Sequence, residues 1–143
     1  MSVQNTASTT WRGSLFEGSG TVALESSHLI EAPVDWKARS EGSDSTTTPE
    51  ELIAAAHSAC FSMALSAALA DNDTPATELH TTAVITFDPA AGGIQESHLT
   101  VRATVPGLTA EQFATLAQGA KEGCPVSKAL AGIEITLDAA LAD

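Results

Sequence analysis

The alternation of apolar and polar positions is weak in the first third of the chain. Residues 1–10 are polar and rich in Ser and Thr, which predicts a frayed end or a short edge strand. The segment from Trp11 to Ile30 alternates weakly around two glycines and predicts two short strands joined by a turn. Residues 31–48 contain proline, glycine and a Ser/Thr cluster, so the pattern predicts a loop there.

A long helix is predicted to begin directly after Thr48. Thr48 can cap it, Pro49 suits the first helical position, and Glu51 completes a capping box. The Ala- and Leu-rich stretch that follows, to about Ala70, is apolar nearly all round, so the helix should be buried on most sides. Because one chain of 143 residues has difficulty enclosing such a helix, the pattern indicates a homodimer in which two of these helices pack together.

The second half of the chain has a clearer order. Two alternating segments, His80–Phe87 and Ile94–Val105, predict a hairpin. A helix over Thr109–Glu122 follows, opened by a capping box of Thr109 and Gln112. A short helix through Leu130 and a closing strand at Ile133–Leu137 come next. These elements predict an α+β fold with a mostly antiparallel sheet and a long buried central helix, in a single domain that spans the whole chain, residues 1–143.

Composition narrows the class of protein. With 18 acidic and 6 basic residues the net charge is −12, which argues against a nucleic-acid partner because phosphate binding needs clustered Lys or Arg. No apolar run reaches the roughly 18 residues of a membrane span, and the N-terminus lacks a secretory pattern, so we expect a cytoplasmic protein without a membrane partner. In so acidic a chain, a single Arg near a reactive group is a candidate for a specific role.

The two cysteines, Cys60 and Cys124, differ in local chemistry, and composition leaves inert, metal-binding and redox roles open for them. Cys60 lies in the middle of the long apolar helix, where burial should raise the pKa of its thiol. A reactive Cys60 therefore needs a cation, and His57 and Arg39 are the candidates. Cys124 precedes a proline at a predicted helix start, where backbone N–H groups favour a thiolate.

His57 leaves several interpretations open. It lies one helical turn before Cys60, and a satisfied core or interface histidine is the simplest interpretation of such a residue. A metal-binding module that uses His57 and Cys60 is one rival, although no second pair of ligands is visible. A cysteine hydrolase with a Cys60–His57 dyad is another, although no oxyanion element is evident.

Three segments form longer motifs. The first is Thr48–Ser66 (TPEELIAAAHSACFSMALS), which contains Cys60. The second is Gly123–Leu130 (GCPVSKAL), which contains Cys124, and the third is Ala38–Gly42 (ARSEG). The first two resemble the OsmC/Ohr family, the osmotically inducible protein C and organic hydroperoxide resistance proteins, and the third is similar to an Arg-containing loop of the OsmC branch. Two long motifs in order, each with one cysteine, are far more specific than a short pattern.

The resemblance implies an OsmC-like fold in an intertwined homodimer with active sites at the subunit interface. It implies a thiol peroxidase of the oxidative and osmotic stress response that reduces organic hydroperoxides, and hydrogen peroxide less efficiently. Cys60 would be the peroxidatic thiol and Cys124 the resolving one, and Arg39 and Glu50 would form the Arg–Glu pair beside the thiolate. The apolar side chains of Phe61 and Met63, or of their dimer mates, would favour alkyl peroxides.

The same resemblance requires an external dithiol reductant, such as a dihydrolipoyl or thioredoxin-like protein, and no cofactor or metal ion is expected. A non-catalytic redox sensor or binding protein on the same fold is the alternative function.

Helix geometry constrains how the four site residues meet. Glu50 and Cys60 are ten residues apart, so on one straight helix they lie about 15 Å apart along the axis and point about 80° apart. Either Arg39 spans between them, or the helix is broken early, or Glu50 comes from a partner chain. We predict that at least two chains build each site. A first-turn carboxylate that only compensates the helix dipole is the alternative for Glu50.

Overall fold

The computed structural model describes residues 1–142, which fall into two compact units that divide after Leu52. The first unit contains three strands and a short helix: β1 (Ala7–Arg12), β2 (Ser19–Leu24), β3 (Glu31–Val34) and α1 (Trp36–Glu41). The strands form an antiparallel sheet in the order β1-β2-β3. The polar N-terminal segment therefore provides an edge strand, one of the two outcomes that its composition allows.

The prediction of a loop over residues 31–48 is wrong for the first part of this segment, which forms β3 and α1. β3 is an edge strand, where Pro33 is tolerated because it lacks only an outward-facing N–H. α1 begins because the Asp35 carboxylate accepts a hydrogen bond of 2.7 Å from the Ala38 N–H. It ends at Gly42, whose φ of +85° suits glycine. These local signals are short, so the proline and glycines around them favoured a loop.

The long helix α2 (Pro49–Asp71) is continuous, as predicted. The Thr48 hydroxyl accepts a hydrogen bond of 3.1 Å from the Glu51 N–H and so caps the helix. The Glu51 carboxylate accepts from the Thr47 hydroxyl instead of closing the capping box. Because α2 is unbroken, the early break is excluded as a way to bring Glu50 and Cys60 together.

Within one chain α2 is buried along a stripe and not on most of its sides. Past the first turn, its buried positions recur every four residues, at His57, Phe61, Leu65 and Leu69. Small residues and Met63, which is 73% exposed, occupy the other side. By length and composition α2 could cross a membrane, but the buried stripe packs into a protein core like the helix of a globular domain.

The second unit is built on a mixed sheet with the order β4-β5-β6. β4 (Glu78–Asp88) and β5 (Gly93–Thr104) form the predicted antiparallel hairpin. β6 (Glu134–Leu141) pairs with β5 in parallel. Three of the four strand pairs in the described residues are antiparallel, which agrees with the predicted α+β class.

Helix α3 (Ala110–Gly123) carries the predicted capping box between Thr109 and Gln112, and α4 (Pro125–Ala129) follows it directly. The core of the second unit gathers large apolar side chains from α2, β5 and α3. Its fully buried members include Phe61, Leu65, Leu69, Leu99, Val101 and Phe113. This core fixes the register of α2 and α3, the helices that position the two cysteines.

Replacing Phe113 by Ala should destabilise the second unit strongly. Phe113 has no exposed surface and packs in the core cluster, so the change should lower the free energy of unfolding by about 3–5 kcal/mol. Urea unfolding at fixed protein concentration measures this loss. Phe16, which is 76% exposed, provides the matched control, and an equal effect of Phe16→Ala would contradict the assignment of the core.

Candidate active site

The two cysteines lie together in the second unit. Cys60 comes from α2, and Cys124 occupies the junction at which α3 ends and α4 begins. Their Sγ atoms are 3.0 Å apart, and both residues are free thiols. Cys124 has no exposed surface, whereas Cys60 is partly exposed. A small movement would therefore join the sulfurs, and Cys60 is the thiol that an outside molecule can reach.

The pKa values of the two thiols are shifted in opposite directions. Burial raises the pKa of Cys60, and its hydrogen bond with Cys124 raises it further. Burial also raises the pKa of Cys124, but the Cys60 thiol, the Ser127 N–H and hydroxyl, and the Val126 N–H together outweigh it and lower the pKa. Cys124 is therefore the more acidic of the two thiols. The sequence-based ranking of the two thiols is confirmed.

The junction explains the acidity of Cys124. Its N–H donates to the Ala120 carbonyl and ends α3, and Pro125 then opens α4. The Cys124 side chain makes no regular capping hydrogen bond. The nearby N–H groups of Val126 and Ser127 still lower its pKa, because unpaired amides at a helix start favour a negative charge.

His57 is fully buried, and each of its two ring nitrogens forms a hydrogen bond with a serine hydroxyl. Nδ1 lies 2.6 Å from the Ser97 Oγ, and Nε2 lies 2.8 Å from the Ser127 Oγ. Burial lowers the pKa of His57, which keeps the ring neutral. These contacts match the satisfied core histidine and leave neither nitrogen to act as a base on Cys60, so the hydrolase dyad is not formed.

The metal-binding interpretation finds no ligand set. Among residues 1–142, no group of three or more His, Cys, Asp and Glu side chains is placed to hold a metal ion. The contacts of His57 go to serines and not to further ligands.

Arg39 and Glu50 form an ion pair in the first unit. The guanidinium donates from Nη2 to Oε1 at 2.8 Å, and from Nε to Oε1 at 3.1 Å and Oε2 at 3.3 Å. The side chain of Glu50 is 8% exposed and that of Arg39 is 32% exposed. α1 carries Arg39 in its last turn, and α2 carries Glu50 in its first turn. Glu50 therefore orients a guanidinium that remains accessible, which is more than dipole compensation.

An apolar pocket of 330 Å³ opens beside Arg39 in the first unit. Most of its lining is aliphatic or aromatic, and Arg39 is the cation in it. The lining residues are Thr9, Trp11, Leu15, Val22, Val34, Asp35, Trp36, Arg39, Pro49 and Leu52. Such a pocket suits a small organic molecule with one polar end.

Phe61 does not fit its predicted part as an apolar wall for substrate, because it is fully buried in the core of the second unit. Met63 is exposed.

Two residues of the site, Ser97 and Ser127, were not singled out by the sequence analysis. Ser127 had a usable signal, since it stands three residues after a predicted helix-capping cysteine, whereas Ser97 had none.

The comparisons with known proteins concern the sequence of nearly the whole chain. A family model described as OsmC-like protein matches residues 42–138. Peroxiredoxin OsmC of Escherichia coli (strain K12) is 41% identical over 140 residues, which is 96% of each chain. The chain belongs to the OsmC-like protein family. The matched region contains Glu50 and both cysteines, and the similarity to the E. coli relative covers nearly the whole chain.

Solved structures of OsmC-like proteins have the same fold. An organic hydroperoxide resistance protein from Elizabethkingia anophelis is 28% identical, with a TM-score of 0.76 over 99% of this chain and 100% of that one. The organic hydroperoxide resistance protein OhrB of Bacillus subtilis is 27% identical, with a TM-score of 0.65 over 94% and 97%. The predicted fold and family are therefore confirmed.

Proposed function

We propose that this OsmC-like protein is a cysteine-based peroxidase that reduces organic hydroperoxides and, less efficiently, hydrogen peroxide. The observation that carries the proposal is the pair of free thiols with Sγ atoms 3.0 Å apart, one partly exposed and one buried, with pKa values shifted in opposite directions. Relatives named as a peroxiredoxin and as organic hydroperoxide resistance proteins support it.

In the first step the Cys60 thiolate attacks the outer oxygen of the hydroperoxide. A sulfur–oxygen bond forms, the oxygen–oxygen bond breaks, and the alkoxide leaves and takes up a proton to give the alcohol. Because burial raises the pKa of Cys60, the step needs a nearby cation. Arg39, oriented by Glu50, is the group we assign to it, since a guanidinium stays charged and can also hydrogen-bond the peroxide.

In the second step the Cys124 thiolate attacks the Cys60 sulfenic acid. A disulfide forms, the sulfur–oxygen bond breaks, and the leaving hydroxide is protonated to water. An external dithiol then reduces the disulfide and restores both thiols. A dihydrolipoyl or thioredoxin-like protein has suitable chemistry for this exchange.

Each complete site should combine residues of two chains in a homodimer. The support is the exposed apolar side of α2, which one chain leaves uncovered, and the axial separation of about 15 Å between Glu50 and Cys60 on one unbroken helix. In this arrangement the Arg39–Glu50 pair of one chain would serve the thiols of the other. The apolar pocket beside Arg39 would hold the organic part of the peroxide. A single-domain chain and a cytoplasmic location remain predictions.

Replacing Cys124 by Ser should allow one oxidation and then stop turnover. Cys60 would still form a sulfenic acid, but no thiol would remain 3.0 Å away to close the disulfide. With cumene hydroperoxide and dihydrolipoamide, fast peroxide loss should end after about one equivalent per chain, and a slow second equivalent should oxidise the Cys60 sulfenic acid to sulfinic acid. Continued turnover by the variant would contradict the assigned role of Cys124.

The redox-sensor alternative makes a different prediction for the wild-type protein. A sensor would also form the disulfide, but would not consume many equivalents of peroxide when the dithiol is present in excess. Peroxide loss that stops after one equivalent in the wild type would favour the sensor.

A further inference from the structure

A buried chain of hydrogen bonds crosses the second unit and ends beside the thiols. The Ser97 hydroxyl on β5 lies 2.6 Å from His57 Nδ1, and His57 Nε2 lies 2.8 Å from the Ser127 hydroxyl on α4. Ser97 and His57 have no exposed surface, and Ser127 is 6% exposed. The proposed peroxidase chemistry uses none of these three residues.

The position of this chain relates it to both sulfurs. His57 stands one helical turn before Cys60 on α2, and Ser127 stands three residues after Cys124 at the start of α4. The His57–Ser127 bond therefore joins the two segments that carry the reactive atoms, whose Sγ atoms are 3.0 Å apart. Together with the packing of Cys124 in the core, this bond holds the Cys124 segment against α2.

The direction of the hydrogen bonds follows from how many hydrogens are available. A neutral imidazole has one N–H and one acceptor nitrogen, and each serine has one hydroxyl hydrogen. If His57 carries its proton on Nε2, it donates to the Ser127 Oγ, and Ser97 donates to Nδ1. The Ser127 hydrogen is then available for Cys124. In the opposite tautomer, with the proton on Nδ1, the Ser127 hydroxyl donates its hydrogen to His57 Nε2 and has none left for Cys124.

A thiolate on Cys124 favours the first arrangement, because a hydrogen bond to a charged acceptor is stronger than one to a neutral nitrogen. The Ser127 hydroxyl is among the groups that lower the pKa of Cys124. The whole chain then has one direction, from Ser97 through His57 and Ser127 to the sulfur.

We infer that His57 is a positioning residue for disulfide closure, because it directs the Ser127 hydroxyl onto Cys124 and ties that segment to α2. The inference rests on the proposed function. In the step concerned, the Cys124 sulfur forms a bond to the Cys60 sulfur as the sulfenic sulfur–oxygen bond breaks, and the released hydroxide becomes water. His57 touches no reacting atom and neither gives nor takes a proton.

The test is Ser127→Ala, which removes the directed hydroxyl. Stopped-flow measurement should show disulfide closure slowed about tenfold, the effect of roughly one lost hydrogen bond to a charged group. Sulfenic acid formation at Cys60 should change by less than about twofold, because that step does not involve Ser127. Ser127→Thr keeps a hydroxyl and should restore most of the closure rate.

Matched controls separate positioning from general stability. Ser62→Ala on α2 also removes a side-chain hydrogen bond, the one of 2.8 Å to Thr81, which is not part of the Ser97–His57–Ser127 hydrogen-bond chain. This variant should leave the rates of both steps unchanged. His57→Leu should slow closure as Ser127→Ala does. If that variant fails to fold, Ser127→Ala still decides. Unchanged closure in Ser127→Ala, or equal slowing of both steps, would overturn the inference.

A second readout does not depend on peroxide chemistry. In a Cys60→Ser background the pH titration of the Cys124 thiolate, followed by its ultraviolet absorbance, should move to higher pH by about one unit when Ser127→Ala is added. Two titratable groups are linked to the Cys124 sulfur. His57 is linked to it through Ser127, and Cys60 contacts it directly in the wild type. An unchanged profile would overturn the inference, even if the wild type proved inactive toward peroxides.

Discussion

Replacing Cys60 by Ser should abolish the reduction of organic hydroperoxides while leaving the fold intact. Serine is nearly the same size as cysteine, but its hydroxyl does not ionise near neutral pH and cannot accept the peroxide oxygen in a stable form. We expect a loss on the order of 10³-fold or more, as for other enzymes that lose their nucleophile. Peroxide consumption with cumene hydroperoxide and excess dihydrolipoamide measures it.

The control for this prediction is Cys124→Ser, which changes the neighbouring thiol by the same single atom. It should keep the first oxidation at close to the wild-type rate, whereas Cys60→Ser should show none. Equal behaviour of the wild type and Cys60→Ser would contradict the peroxidase function. A first oxidation that is lost in Cys124→Ser and kept in Cys60→Ser would reverse the roles of the two cysteines.

Replacing Arg39 by Ala should slow sulfenic acid formation about 10²-fold, the usual effect of removing one preorganised donor from a reacting centre. Burial already raises the pKa of Cys60, and without the guanidinium only the Val126 N–H is left to oppose that effect. A higher thiol pKa means a smaller thiolate fraction at neutral pH, and this fraction grows as the pH rises. The rate profile of the variant should therefore move to higher pH.

Two variants control for the charge that the substitution leaves behind. Arg39→Ala leaves the mostly buried Glu50 carboxylate without its ion-pair partner Arg39, and this loss is itself destabilising. The double variant Arg39→Ala/Glu50→Gln removes that carboxylate charge and should remain slow. Arg39→Lys keeps the charge without the fork and should fall between. An unchanged pH profile in all three would contradict the role of Arg39.

Complementation tests whether two chains build each site. Alone, Arg39→Ala is expected to be about 10²-fold slower than the wild type, and Cys60→Ser is expected to be inactive. After mixed refolding, a heterodimer whose sites combine Arg39 of one chain with Cys60 of the other would contain one intact site. Recovered activity would support the two-chain site, and no recovery in a verified heterodimer would place both residues in one chain.

The predictable part of the fold followed from signals that are strong within a few residues. The capping residues Thr48 and Thr109 marked two helix starts, and regular alternation marked the β4–β5 hairpin. β3 and α1 were missed because each is short and is held by partners elsewhere, the sheet edge for β3 and the Asp35 carboxylate for α1. The parallel pairing of β6 depends on long-range packing, which local patterns do not encode.

How much of the candidate site could be predicted from the sequence differs from residue to residue. Local chemistry ranked Cys124 above Cys60 in acidity, and motif similarity selected Arg39 and Glu50 as a pair. Contact between the two sulfurs could not follow from residues 64 positions apart without the fold. The Ser97–His57–Ser127 chain was invisible for the same reason, since it joins β5, α2 and α4, and serines at such positions carry no distinctive pattern.

Peptide mapping after a single equivalent of peroxide tests the central claim most directly. Fully reduced wild-type protein is mixed with one equivalent of cumene hydroperoxide per chain, quenched with an alkylating reagent and digested. The account predicts one equivalent of the alcohol and a disulfide that joins the Cys60 and Cys124 peptides. Unreacted hydroperoxide with both cysteines still alkylated would contradict it.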